Sequence, residues 1–328
     1  MYADRLAGRG HAVTLVVPGP GLRRALWRRL RGATPGWMPG LRARLAWVSR
    51  WRPEALPDGD VVVATAWQSA PVVAAAPVRC GSRFYLVQHY ESLYHGEAAT
   101  VDGTYRLPLR HVVISSWLAE VMRERFGVEA EVIVTPVDPA LFRRVAVDVR
   151  TSRPRVLMLH HGYAWKGVAD GLEAVRRVRA RLPGLHLVGF GVRPPADRSP
   201  YDEFHANPPQ DALAALYSGA DVYLCPSWDE GLGMPSMEAM ACGAALVTYD
   251  NGGSRDYARD GVTALVARRR DVDDLAAKLE RLAGDAALRA RIATAGTGLV
   301  TSAFDWARAV ARLESVFRRA ERTVPAPP

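Results

Sequence analysis

Short runs of β-forming residues alternate with amphipathic helical stretches along nearly the whole chain, and no other feature constrains its folding as strongly. The runs lie at 13–17 (VTLVV), 61–64 (VVVA), 84–87 (FYLV) and 112–114 (VVI). A second set follows at 156–159 (VLML), 185–188 (LHLV), 222–225 (VYLC), 245–248 (ALVT) and 264–266 (ALV). Strand, helix, strand in repetition predicts an α/β fold with parallel sheets and crossover helices. The polar, arginine-bearing stretch 143–154 between the two sets resembles a linker. The pattern therefore predicts two doubly wound, Rossmann-like domains, 1–145 and 153–303, facing across a cleft. Residues 304–328 read as a C-terminal helix and tail, free either to stay with the second domain or to cross back to the first. Ligands in such sheets bind beyond the carboxyl ends of strands, so chemistry is expected in the loops that follow them.

A chain of 328 residues with 49% hydrophobic and 23% charged residues has ample material for two cores and is not a disordered polymer. Its apolar runs all fall short of the ~18 residues a spanning helix needs. Three cysteines without C-x-x-C spacing argue against a disulfide scaffold or a structural zinc site. The opening residues lack the ordered parts of a secretory signal, which makes the cytosol the expected compartment. The formal charge of +9 is concentrated: from Arg5 to Pro53 there are eleven arginines and no acid. Residues 22–31 (LRRALWRRLR) would form a basic amphipathic helix with tryptophans nearby, suited to an anionic membrane surface through residues 22–52. The bland alternative is a solvated face in an arginine-rich chain. No recognition module supports nucleic acid as a partner.

The most informative stretch is CPSWDEGLGMPSMEAMACG, Cys225 to Gly243, which leaves a strand, turns through glycines and enters a helix at Pro235. Gly231 and Gly233 permit close backbone approach, and the free amides and positive dipole end of a helix start favour a phosphate. Glu230 and Glu238 flank that helix start. A carboxylate accepts hydrogen bonds from two vicinal hydroxyls, so this pair could hold a sugar and a ribose at opposite ends of a nucleotide-sugar. A literal D-x-D at Asp271 and Asp273 opens the run DVDDLAAKLERL, where acids cap a helix, and this predicts no metal site.

In these residues the chain resembles the family 4 retaining glycosyltransferases, which have the GT-B fold. PSWDEGLGMPSMEAMACGAALV is similar to the family's P-S-x-x-E-G-F-G-x-P-x-x-E-A-M-A-x-G-x-P-V block, with Leu232 for Phe. Residues 216–222 (LYSGADV), 251–256 (NGGSRD, with Asp256 for Glu) and 136–142 (PVDPALF, with Pro136 for Gly) resemble flanking family segments. HHGYAWKG at 160–167 is similar to G-R-x-x-x-x-K-G, with His161 in the place of Arg. The resemblance implies that Lys166 neutralises the departing diphosphate, Glu230 positions the transferred sugar, and His89 lines the reaction centre. It implies donor binding by Glu238, Gly231, Gly233, Met234 and His161. Gly189, Phe190 and Gly191, a G-x-G after a strand, are candidates to approach the donor base. The opening MYADRLAGRGHAVTLVV resembles the family's first helix and second strand, without a preceding first strand or glycine-rich loop.

The expected function is metal-independent transfer of a sugar from a nucleotide diphosphate donor to an acceptor hydroxyl, with retention of configuration. The family's mechanism is front-face substitution through an oxocarbenium-like transition state. The donor is a substrate, so no cofactor is expected, and the acceptor could be a saccharide, a lipid-linked sugar or a natural product. The alternative is a non-catalytic nucleotide-sugar-binding relative that partners an active transferase, motivated by the opening residues and by His161.

Overall fold

A computed structural model describes residues 1–18, 40–48, 50–148 and 154–321. The helix expected over 22–31, and with it much of the basic stretch 22–52, lies outside the described residues. Strands run in the order β1 (Thr14–Pro18), β2 (Arg44–Val48), β3 (Val61–Ala64), β4 (Ser82–Val87), β5 (Arg110–Val113), β6 (Ala130–Val132), β7 (Arg155–Leu159), β8 (His186–Gly191), β9 (Glu203–Ala206), β10 (Val222–Cys225), β11 (Ala245–Tyr249) and β12 (Ala264–Ala267). The described helices are α1 (Tyr2–Gly8), α2 (Ala70–Ala74), α3 (Ala98–Tyr105), α4 (Ser116–Phe126), α5 (Val168–Arg179), α6 (Gln210–Ser218), α7 (Met234–Ala241), α8 (Val272–Gly284), α9 (Ala286–Ser302) and α10 (Trp306–Glu321). The chain divides into two units, one comprising Met1–Val113, Val121–Ile133 and Ala307–Pro328, the other Ile114–Glu120 and Val134–Trp306.

The second unit is built on a six-stranded parallel sheet of order β12-β11-β10-β7-β8-β9. Its central strands are continuous apolar runs because helices cover both faces: every residue of β10 and β11 is buried. The covering helices show the matching period. In α5 the buried residues are Gly171, Ala174, Val175 and Val178, while Arg176 and Arg177 occupy the solvent side of the last turn. In α8 the buried set is Leu275, Ala276, Leu279, Leu282 and Ala283. The buried sides of α5 and α8 pack on one face of the sheet, in a core that joins Met158, Val175, Leu224, Val247 and Leu279.

The first unit holds two parallel sheets, β1-β2 and β3-β4-β5-β6. Val16 of β1 and Val62 of β3 pack into one cluster around Leu56, Ala76 and Cys80. The amphipathic α10 lies on the four-stranded sheet, burying Leu313 and Val316 against Phe84, Val112 and Ile133. Phe317 meets Phe84 edge to face at 4.8 Å. Glu314 of α10 is buried and takes hydrogen bonds from Arg9 Nε at 2.7 Å and Nη2 at 3.0 Å, with His11 Nε2 3.0 Å away. Among the described residues no helix is long and apolar enough to cross a membrane.

Candidate active site

In the six-stranded sheet the chain builds outward from β7 through β8 and β9, then returns to place β10 on the other side of β7. The reversal leaves a crevice between the loops that follow β7 and β10, the position where doubly wound sheets bind ligands. The loop after β7 carries Lys166 and the loop after β10 carries Glu230. Lys166 Nζ donates to Glu230 Oε1 at 2.6 Å, and both side chains are largely buried, at 18% and 10% relative exposure. A pocket beside the pair is lined by Leu159, Lys166, Cys225, Glu230, Gly233 and Ser236.

Local geometry fixes each partner. Lys166 closes the 3-10 turn Ala164–Lys166, and Gly167 follows in the left-handed region with φ of +62°. A β-carbon on Gly167 would lie 1.9 Å from the Pro226 carbonyl oxygen, so only glycine lets this turn press against the β10 loop. The Trp228 N–H, donating to the Trp165 carbonyl at 2.7 Å, ties the two loops together. Neighbouring Asp229 is buried, and Arg269 Nη2 donates to both its oxygens at 2.7 and 2.6 Å while Arg269 Nε donates to the Trp228 carbonyl. The Glu230 backbone is stitched to the next loop: its N–H donates to the Asn251 carbonyl, and its carbonyl accepts from the Gly253 N–H.

Gly233 caps α7 with φ of +88°. Its carbonyl accepts the amides of Ser236 and Met237, and the N–H groups of Gly233 and Met234 precede the first intrahelical bond, where an anion is favoured. The buried Tyr257 hydroxyl donates to the same carbonyl at 3.2 Å and holds the turn from beneath. Glu238 stands on the second turn of α7. Burial pushes its carboxyl up to about 7, against a hydrogen bond from the Tyr217 hydroxyl at 3.0 Å that works in the opposite direction.

The remaining expected residues fall in different places. His161 is beside the pair; burial, then the Lys166 charge, push its imidazole below its ordinary value. Its Nδ1 accepts the Tyr163 N–H at 3.1 Å, which leaves the proton of the neutral ring on Nε2. Gly189, Phe190 and Gly191 are not a turn after a strand but the end of β8 itself. Added β-carbons at Gly189 and Gly191 would strike the Tyr201 ring at 2.6 Å and the His160 carbonyl at 2.3 Å, and Phe190 packs on Tyr217 at 5.7 Å. His89 follows β4 in the first unit, 5.8 Å from the Tyr94 ring. Asp271 caps α8 by accepting the Asp274 N–H, and Asp273 pairs with Arg177, so both acids of the D-x-D are engaged within the fold. Asp256, in the loop after β11, accepts the Ser116 N–H at 2.9 Å and the Ser116 hydroxyl at 2.6 Å, capping α4.

The second unit is thus a doubly wound nucleotide-binding type of domain with a cation, a carboxylate and helix amides at its switch point. Residues 153–285 match the sequence profile of the family described as Glycosyl transferases group 1. A glycogen synthase of Mycobacterium tuberculosis is 30% identical over 317 residues, covering 86% of this chain and 74% of the relative. The sucrose-phosphate synthase of Thermosynechococcus elongatus superposes with a TM-score of 0.79 at 17% identity, over 98% of this chain and 92% of that one. Anabaena HepE, solved in complex with UDP and glucose, superposes with a TM-score of 0.74 at 15% identity, over 97% and 94%. The chain belongs to the family 4 glycosyltransferases and has their GT-B fold of two Rossmann-like domains.

Proposed function

We propose that the protein transfers a sugar from a nucleotide diphosphate donor to an acceptor hydroxyl with retention of configuration and without a metal ion. The observation that carries this reading is the Lys166–Glu230 pair beside the start of α7. A diphosphate seated on the Gly233 and Met234 amides gains a fixed cation from Lys166, which stabilises the charge that develops as the glycosidic bond breaks. Glu230 accepts hydroxyls of the transferred sugar, and Glu238 accepts the ribose diol. His161 offers Nε2–H to the diphosphate in the place where the family pattern has an arginine. His89 is proposed, on the family resemblance, to line the reaction centre. Support for a UDP-linked donor comes from HepE, whose structure contains UDP and glucose.

Replacing Lys166 by Ala should lower turnover at saturating donor by more than about tenfold, the effect of losing ~1.4 kcal/mol of transition-state stabilisation. Unchanged turnover removes Lys166 from the chemistry. Retention is read from the anomeric coupling constant of the product before it equilibrates. The arginine-rich stretch 22–52 is proposed to bring the enzyme to an anionic membrane surface. Co-sedimentation with acidic vesicles that is lost in high salt checks this, and sedimentation insensitive to lipid charge would contradict it.

A further inference from the structure

Tyr217, in the last turn of α6, is 1% exposed and boxed in by aromatic rings: Phe190 and Tyr223, each at 5.7 Å, and Phe142 at 6.0 Å. A phenylalanine would fill this site without burying a hydroxyl, and a buried hydroxyl is costly unless it is hydrogen-bonded. Here the partner is the Glu238 carboxylate, Oε2 at 3.0 Å. Burial keeps the phenol neutral far above its ordinary range, so it remains a donor across the working pH. The other titratable groups facing this carboxylate are also uncharged. Tyr223 of β10 is raised well above its ordinary value, and the Cys242 thiol at the end of α7 is pushed up to about 12. The bond from Tyr217 is therefore what opposes the burial of the Glu238 charge.

We propose that Tyr217 is a positioning residue for the donor: its hydroxyl occupies Glu238 Oε2, fixes the carboxylate plane, and leaves Oε1 oriented for the ribose diol. This rests on the reading of Glu238 as the ribose-binding carboxylate.

The test is calorimetric titration of the tightest binder among UDP, GDP and ADP, alongside its 2′,3′-dideoxy analogue, into wild type, Tyr217→Phe and Glu238→Gln across pH. Without the hydroxyl Glu238 holds its proton to higher pH. Tyr217→Phe should weaken ribonucleotide binding about fivefold to tenfold near neutral pH, the scale of one hydrogen bond, and recover toward wild type in alkali. Dideoxynucleotide binding and turnover at saturating donor should be unchanged. Should Tyr217→Phe fold poorly, replacing tyrosine by 3-fluorotyrosine keeps the ring and strengthens the donor: the pH below which ribonucleotide affinity falls relative to dideoxynucleotide affinity should move down, and an unmoved midpoint overturns the positioning role. Glu238→Gln weakened with Tyr217→Phe unaffected at every pH overturns the positioning role and spares the reading of Glu238. Glu238→Gln binding both nucleotides as wild type does overturns that reading and the inference with it.

Discussion

At position 167 an L side chain has neither the space nor the backbone conformation it needs, since φ is +62° and a β-carbon would sit 1.9 Å from a carbonyl oxygen. Gly167→Ala must push the Lys166 turn away from the β10 loop. Strain of this kind costs about 1–3 kcal/mol, so the variant should lose stability and, more tellingly, bind nucleotide diphosphate at least severalfold more weakly. Wild-type affinity in a destabilised variant would show that the turn does not set the site. Glu230, Gly233 and Glu238 were legible in the sequence because a glycine-bracketed strand-to-helix turn with flanking acids is a local pattern, and Lys166 because HHGYAWKG resembles a family segment. Their supports were not. Arg269 reaches Asp229 across 40 positions and Tyr217 reaches Glu238 across 21, and only the folded sheet brings such partners together. The G-x-G of β8 was expected after a strand and lies within its carboxyl end, where Tyr201 and the His160 backbone press on the two glycines.

Three strands, β2, β6 and β9, have no counterpart among the apolar runs given above, and each is an outer strand of its sheet, as β1, β3 and β12 also are. In β6 and β9 one side is solvated and polar residues interrupt the run, Glu131 in β6 and Glu203 and His205 in β9, whereas β2 (RLAWV) holds an apolar run inside the stretch read for its charge. The inner strands were legible because burial on both faces demands Val, Leu and Ile, and the outer strands β1, β3 and β12 because they are apolar runs too. Helix α10 was legible as a helix from its period, but its attachment was left open by the sequence. Its apolar face, Leu313, Val316 and Phe317, packs on the four-stranded sheet, and its buried Glu314 adds bonds to Arg9 and His11 beyond α1. Hydrogen bonding from Arg9, the largest effect, holds the Glu314 carboxyl below its ordinary value of 4.5. A depressed carboxyl stabilises fully above its unfolded value and loses that contribution as pH falls through the folded one. Glu314→Gln should therefore melt a few degrees lower near neutrality, with the gap to wild type narrowing below pH 4.5. A gap that stays constant with pH would mean that charge at Glu314 does not hold α10.

On the scale of the whole chain, the alternation of runs fixes two doubly wound units, and the sheet order of the second decides where chemistry can occur. Only the neighbours β7 and β10 bound the switch point, and their loops carry the cation and the acid that the family pattern singles out. The central claim is that this place holds a nucleotide diphosphate. It is tested most directly by thermal-shift titration of the wild-type protein with UDP, GDP, ADP and TDP. At ligand concentrations about 100-fold above the dissociation constant, binding to the folded state adds ~2.7 kcal/mol, so at least one nucleotide should raise the melting temperature in a saturable, concentration-dependent way. The corresponding nucleoside should do far less, because it lacks the groups that Lys166 and the α7 amides bind. A melting temperature unmoved by all four diphosphates, or moved equally by nucleosides, would contradict the account.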